Sequence, residues 1–125
     1  MPPITILYIE DYRLLRVTVQ ETLEMEGWQV DVCEDGIRAL AKIESERHYD
    51  ALLVDNALPG VHGLELVRQA RGFEHRKRTP IILISASECE LEARDAGADV
   101  FLKKPDDINK IVQTIARLLK TSQES

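Results

Sequence analysis

What most constrains this chain is a regular change of period. Five short runs rich in β-branched and other apolar residues stand at 4–9 (ITILYI), 28–33 (WQVDVC), 51–55 (ALLVD), 80–85 (PIILIS) and 100–102 (VFL). Between them the apolar residues recur at helical spacing. Strands that are apolar at nearly every position are buried on both faces, and strand–helix alternation supplies the crossovers that parallel pairing needs. The expected class is α/β: a doubly wound, five-stranded parallel sheet with helices on both faces, a flavodoxin-like three-layer αβα arrangement.

The helical stripes are read from spacing. Leu15, Val19 and Leu23 form one; Ile37, Leu40 and Ala41 a second; Leu64, Val67 and Ala70 a third. In the last helix Ile108, Ile111, Val112, Ile115, Leu118 and Leu119 repeat over three turns, with Asp106 or Asp107 expected as its cap. Gly27 and Gly97 suit left-handed helix ends, and Asp35 before Gly36 suits a helix start. The segment SECELEARDA at 87–96 is charged, with a thin apolar face, and is expected to pack least firmly.

With 125 residues and 44% hydrophobic content, one domain can bury a core without metal or disulfide support. The expected domain is 1–120, followed by a disordered polar tail at 121–125. A net charge of −6 argues against a nucleic-acid surface, since phosphate neutralisation needs a basic face. Cys33 and Cys89 are expected as reduced thiols. There is no basic leader and no run near the ~18 apolar residues a membrane helix needs, so a soluble, cytoplasmic protein without membrane contact is expected.

In a parallel sheet the strand C-termini share one edge, where open α/β folds bind ligands. The first run ends at Glu10 and Asp11, the third at Asp55 and the fourth at Ser85; the fifth leads to Lys103, Lys104 and Pro105. Three carboxylates, a hydroxyl and an ammonium therefore converge. Close carboxylates resist joint ionisation unless a cation offsets them. Oxygen-only donors with room for water favour Mg²⁺, with Mn²⁺ as a substitute. A carboxylate held there can attack phosphorus, given positioning and neutralisation of the phosphoryl oxygens.

These pieces, the acidic pair at 10–11, VDNALPGVHGLEL at 54–66, ISA at 84–86 and GADVFLKKP at 97–105, resemble the receiver domain of two-component response regulators over residues 4–119. The resemblance implies strand order 2-1-3-4-5 and a phosphoryl acceptor at Asp55. It implies Mg²⁺ held by Asp11, Asp55 and the Ala57 backbone carbonyl, with Glu10 acting through a water. It further implies a switch hydroxyl at Ser85, an ion-pairing Lys104, an aromatic switch at Phe101 and a cis bond before Pro105. The implied partners are a sensor histidine kinase or phosphotransfer protein, an unknown output protein and a phosphorylation-dependent second copy. Ala57 and Ser87 occupy positions that in the family affect how long the phosphate persists.

The chain departs from the family pattern in three places. Leu58 stands where Met is common, the segment from Ser85 to Gly97 is about a turn short, and Asp106 and Asp107 follow Pro105 where an apolar residue is usual. Other readings compete. A haloacid-dehalogenase-type phosphohydrolase would need a second acid two residues after Asp55, where Ala57 stands. A receiver-like module that only docks a partner would keep the fold but not the chemistry. Residue by residue, Asp55-Asn56 suits a turn, Asp11 a helix cap and Phe101 the core. Lys103, the run RGFEHRKR at 71–78, the glutamates at 88, 90 and 92, and His48, His62 and His75 read as solvated surface. Trp28 is expected to pack at the edge of the second strand.

Overall fold

A computed structural model describes residues 3–124, with side chains through residue 122. The elements alternate as expected: β1 (Thr5–Ile9), α1 (Arg13–Glu24), β2 (Gln29–Cys33), α2 (Gly36–Glu44), β3 (Ala51–Asp55), α3 (Gly63–Gly72), β4 (Ile81–Ser85), α4 (Glu90–Ala96), β5 (Val100–Lys103) and α5 (Ile111–Glu124). The strands form one parallel sheet in the order β2-β1-β3-β4-β5. β3 and β4 are buried at every position, which is why their sequences run apolar without alternation.

Side-chain parity divides the core in two. Ile6, Tyr8, Leu53, Ile82, Ile84 and Leu102 face α1 and α5, meeting Val19, Leu23, Ile111, Ile115 and Leu119. Leu7, Ile9, Leu52, Val54, Ile81 and Leu83 face α2, α3 and α4. Trp28 precedes β2 and packs, half-buried, on the α1–α5 side. Both cysteines are free and buried. No helix among the described residues is long and apolar enough to cross a membrane.

Helix ends follow local chemistry. The Asp35 side chain accepts from the Arg38 backbone N–H at 2.8 Å, capping α2. Gly97 ends α4 at φ +115°, a conformation that side chains with a Cβ resist.

Several expectations need correction. In α2 the buried stripe is Gly36, Ala39 and Ile43, while Ile37 is 66% exposed. Gly36 sits where a Cβ would collide with the Val61 carbonyl, and this close approach rotates the helix one position from its apparent stripe. In α3, Leu66 takes the buried place and Leu64 is half-buried. Tyr12 holds the N-cap position of α1 without a side-chain hydrogen bond, so Asp11 does not cap it. Asp107 does not cap the last helix either: its Oδ2 accepts from the Lys103 N–H at 2.9 Å, and a 3₁₀ turn at Ile108–Lys110 precedes α5.

α5 runs through Glu124, and the Thr121 hydroxyl donates to the Arg117 carbonyl at 3.1 Å. Ser125 lies outside the described residues. The fourth helix is short, as its sequence indicates, and buries only Ala93 and Ala96 of its own residues. Its first three expected residues, 87–89, form the preceding loop, with Cys89 buried.

Within the basic run at 71–78, Gly72, Glu74, His75, Lys77 and Arg78 are exposed as read, but Arg71 and Arg76 brace the fold. Arg71 donates to the carbonyls of Gly97, Arg76 and Thr79 at 2.8–2.9 Å and pairs with Asp99 at 2.9 Å. Arg76, 2% exposed, donates to the carbonyls of Ile43 at 2.9 Å, Ser45 at 3.0 Å and Arg47 at 2.6 Å, and its guanidinium lies 5.0 Å from the Tyr49 ring centre. Both tie the carboxyl-terminal end of α3 to its neighbours. His48, His62 and His75 are exposed as read, although His48 meets Asp50 and His75 meets the Ile43 and Ser45 carbonyls.

Candidate functional site

Parallel register carries Glu10, Asp55, Ser85 and Lys104 to one edge. Ile9 pairs with Val54, Asp55 with Ile84, and Ser85 with Lys103, so the residue after each strand end emerges beside its neighbours. Glu10 is fully buried and Asp55 is 2% exposed, while Asp11 is exposed. One carboxylate oxygen from each of the three lies within 4.8 Å of the others. Lys104 stands between two of them, its ammonium 3.0 Å from Glu10 Oε1 and 3.0 Å from Asp55 Oδ1.

This arrangement explains how a buried strand can end in a charge. Burial works against the Lys104 ammonium, yet the hydrogen bonds to Glu10 and Asp55 outweigh it and hold its pKa above the ordinary value. Glu10 is pushed up to about 7, by burial first and by the Asp55 charge second, with Lys104 pulling the other way. One ammonium thus leaves the three-acid cluster short of positive charge. The donor set, three carboxylates at the mouth of a sheet edge with no His or Cys, fits a hard divalent cation. Glu10, Asp11 and Asp55 could hold it; Ala57, two residues after Asp55, is exposed on the β3–α3 loop.

The loop after Asp55 is organised by Asn56. Its side-chain Oδ1 accepts from the Leu64 N–H at 3.0 Å and its carbonyl accepts from Leu58 and Gly63, both at 3.0 Å. Gly63 is required by this close return: a Cβ there would collide with the Asp55 carbonyl oxygen. Asn56 therefore does more than mark a turn. Ser85 is buried, its hydroxyl accepting from the Ser87 N–H at 3.0 Å and its carbonyl from the Lys104 N–H at 2.9 Å. Phe101 is half-buried against the α2–α4 side of the core, and the Lys104–Pro105 bond is cis.

Lys103 and Glu88, both read as solvated, pair at 2.8 Å across the β4–α4 loop beside Ser87. Two residues near the site escaped sequence reading altogether. Arg16, 8% exposed, donates to the Glu10 and Asp11 carbonyls. Its signal was available: Arg16, Val19 and Leu23 fall at i, i+3 and i+7, which sets a charge into the buried stripe. Tyr8, fully buried below Glu10, has the one buried side-chain polar atom among the described residues without a hydrogen-bond partner. Burial holds its hydroxyl well above the usual range, and the charges of Glu10 and Asp55 add to this.

Comparisons with known proteins agree with this geometry. The family model of the response regulator receiver domain matches residues 6–116. Response regulator MprA of Mycobacterium tuberculosis is 33% identical over 123 residues, covering 96% of this chain and 52% of that protein. The transcriptional regulatory protein ResD of Bacillus subtilis is 32% identical over 123 residues, covering 96% of this chain and 50% of ResD. The chain thus spans about half the length of these curated relatives.

Among solved structures, a CheY-like receiver domain protein from Methanospirillum hungatei superposes with TM-score 0.89 at 25% identity, covering 98% of each chain. The receiver domain of the sensor histidine kinase PA1611 from Pseudomonas aeruginosa gives 0.85 at 29% identity, covering 95% of this chain and 99% of that one. That structure has a magnesium ion coordinated in its active-site cleft. By sequence over nearly its whole length, by strand order and by the acidic cluster at the sheet edge, the chain belongs to the response regulator receiver domains of two-component signalling.

Proposed function

We propose that the chain is a phosphoacceptor switch that takes a phosphoryl group onto Asp55. The observation that carries the reading is the bridging Lys104 ammonium, 3.0 Å from both Glu10 and Asp55 in a cluster of three carboxylates. Lys104 engages Asp55 Oδ1, and the other carboxylate oxygen serves as the attacking atom. As the Asp55 oxygen bonds to phosphorus, the bond from phosphorus to the donor's imidazole nitrogen breaks and the electron pair stays on that nitrogen. Asp11, Asp55 and the Ala57 carbonyl, with Glu10 acting through a water, would hold Mg²⁺, which would supply neutralisation of the phosphoryl oxygens. Mn²⁺ fits the same donors.

Lys104 then transfers its ion pair toward the phosphoryl group and Ser85 turns its hydroxyl to it, exchanging the Ser87 N–H for a phosphoryl oxygen. Phe101 follows into the space beside Ser85. An added charge of about −1.5 to −2 is large enough to bias such a rearrangement. The donor is a sensor histidine kinase or a phosphotransfer protein, and the outcome is altered affinity for an output protein or a second copy. The protein is a switch and not a turnover enzyme.

The test is intact mass after incubation with acetyl phosphate, for the wild type, for Asp55→Asn and for a sample with chelated metal. One phosphoryl group on the wild type alone, and only with metal, is the expected result. No addition, together with no change around Ser85 and Phe101 under beryllofluoride, would overturn it in favour of a docking module that is not phosphorylated.

A further inference from the structure

We infer that Arg16 is a positioning residue for the metal site, one guanidinium gripping the two peptide units that carry the acidic pair; the inference rests on the Mg²⁺ reading above. Arg16 stands on the inner face of α1, its side chain 10% exposed. Nη1 donates to the Glu10 carbonyl at 3.1 Å and to the Asp11 carbonyl at 3.3 Å. Nη2 pairs with Glu34 Oε1 at 3.1 Å, on the turn that follows β2. A single side chain therefore joins α1, the β1–α1 turn and the β2–α2 turn.

The grip matters most for Asp11. Glu10 has side-chain ties of its own, accepting from Lys104 and from the Tyr12 N–H at 3.3 Å. Asp11 is exposed, and its carboxylate has no hydrogen-bond or ion-pair partner among the described residues. Where that carboxylate points is set by its backbone, and its backbone carbonyl is held by Arg16. A lysine cannot substitute fully, because one ammonium on a flexible stem lacks the planar fork that meets two carbonyls and Glu34 together.

Simple charge predicts the opposite effect. A cation near the acidic pair repels Mg²⁺, so its removal should tighten binding, although Glu34 offsets part of that charge. Positioning and repulsion therefore differ in sign. Residues that orient metal ligands through hydrogen bonds commonly alter affinity by about 10–100-fold when replaced. We expect the low end, because Arg16 acts through backbone and leaves all the donors in place.

The experiment is calorimetric Mg²⁺ titration of the full chain as wild type, Arg16→Lys and Arg16→Met, with thermal unfolding measured without metal. Expected are a Kd raised about tenfold in Arg16→Met and severalfold in Arg16→Lys, at a temperature where both stay folded, with saturating Mg²⁺ restoring full phosphorylation from acetyl phosphate. Unchanged or tighter binding in both variants, with only a lowered Tm, would overturn the inference and leave Arg16 a strut of the fold. If Arg16→Met does not fold, Arg16→Lys decides beside Glu34→Gln, which keeps both carbonyl bonds and must weaken binding less than the lysine does; the reverse order refutes positioning. A wild-type chain that binds no Mg²⁺ overturns the metal reading itself, whereas wild-type binding with unchanged variants overturns this inference alone.

Discussion

Replacing Glu10 with Gln separates the two demands on the pocket, folding and metal binding. Without metal, the fully buried Glu10 carboxyl is pushed up to about 7 from an ordinary 4.5, by burial first and by Asp55 second, against the pull of Lys104. Between those values the folded chain retains a proton that the unfolded chain has released. The unfolded state then binds fewer protons, so stability falls as pH rises through this window and stays low above it. An interval of about 2.5 pH units at ~1.4 kcal/mol per unit is roughly 3 kcal/mol.

Gln imitates the protonated acid. Its amide oxygen can still accept from Lys104, but its NH₂ cannot accept from the Tyr12 N–H, a loss of about 1 kcal/mol. The expected net result is a variant about 2 kcal/mol more stable than wild type at about pH 8 in EDTA, with the advantage gone by about pH 5. Urea unfolding followed through Trp28 fluorescence measures both. Millimolar Mg²⁺ should reverse the order near pH 8, because a ligand that binds only the folded state stabilises it in proportion to affinity. A variant no more stable than wild type at pH 8 without metal would refute the claim that Glu10 is held against its own ionisation.

Three further outcomes follow from particular contacts. Tyr8→Phe removes a fully buried hydroxyl that has no partner, and should raise unfolding stability by about 1 kcal/mol; a loss would mean that the hydroxyl is satisfied in solution. Arg76→Met leaves the carbonyls of Ile43, Ser45 and Arg47 without their donor and should cost about 3 kcal/mol in urea unfolding, while an exposed-loop role would cost almost nothing. Gly63→Ala forces a Cβ against the Asp55 carbonyl oxygen and to within 2.7 Å of Asn56 Cα. It should cost about 2 kcal/mol and slow phosphorylation from acetyl phosphate, and a wild-type rate would show that the strand end tolerates the shift.

The period changes carried most of the architecture. Every strand and helix lies within the segment where the sequence puts it, although α4 starts three residues late, because β3 and β4 run apolar up to their last residues, Asp55 and Ser85, and the α5 stripe is long enough to have one reading. Short helices were less legible. In α2 the apparent stripe of Ile37, Leu40 and Ala41 lost to one of Gly36, Ala39 and Ile43, because a glycine contact with the Val61 backbone decides the rotation. That contact lies 25 residues away along the chain, and no local pattern encodes it.

The site divides along the same line. Carboxylates and a lysine at strand ends are readable, since parallel order brings strand ends together whatever lies between them. The residues that order the site are harder to read: Arg16, Asn56 and Gly63 all act on backbone atoms. A backbone carbonyl is present at every position and leaves no mark in a sequence, so an arginine that serves three of them looks the same as one in water. Arg71 and Arg76 were misread for this reason, sitting in a run whose composition suggests a solvated loop. Arg16 was the exception in principle, because its place in a buried helical stripe already demands buried acceptors. A charged residue in phase with an apolar stripe is thus a readable signal even though its partners are not, and here it lies one turn beyond the acidic pair.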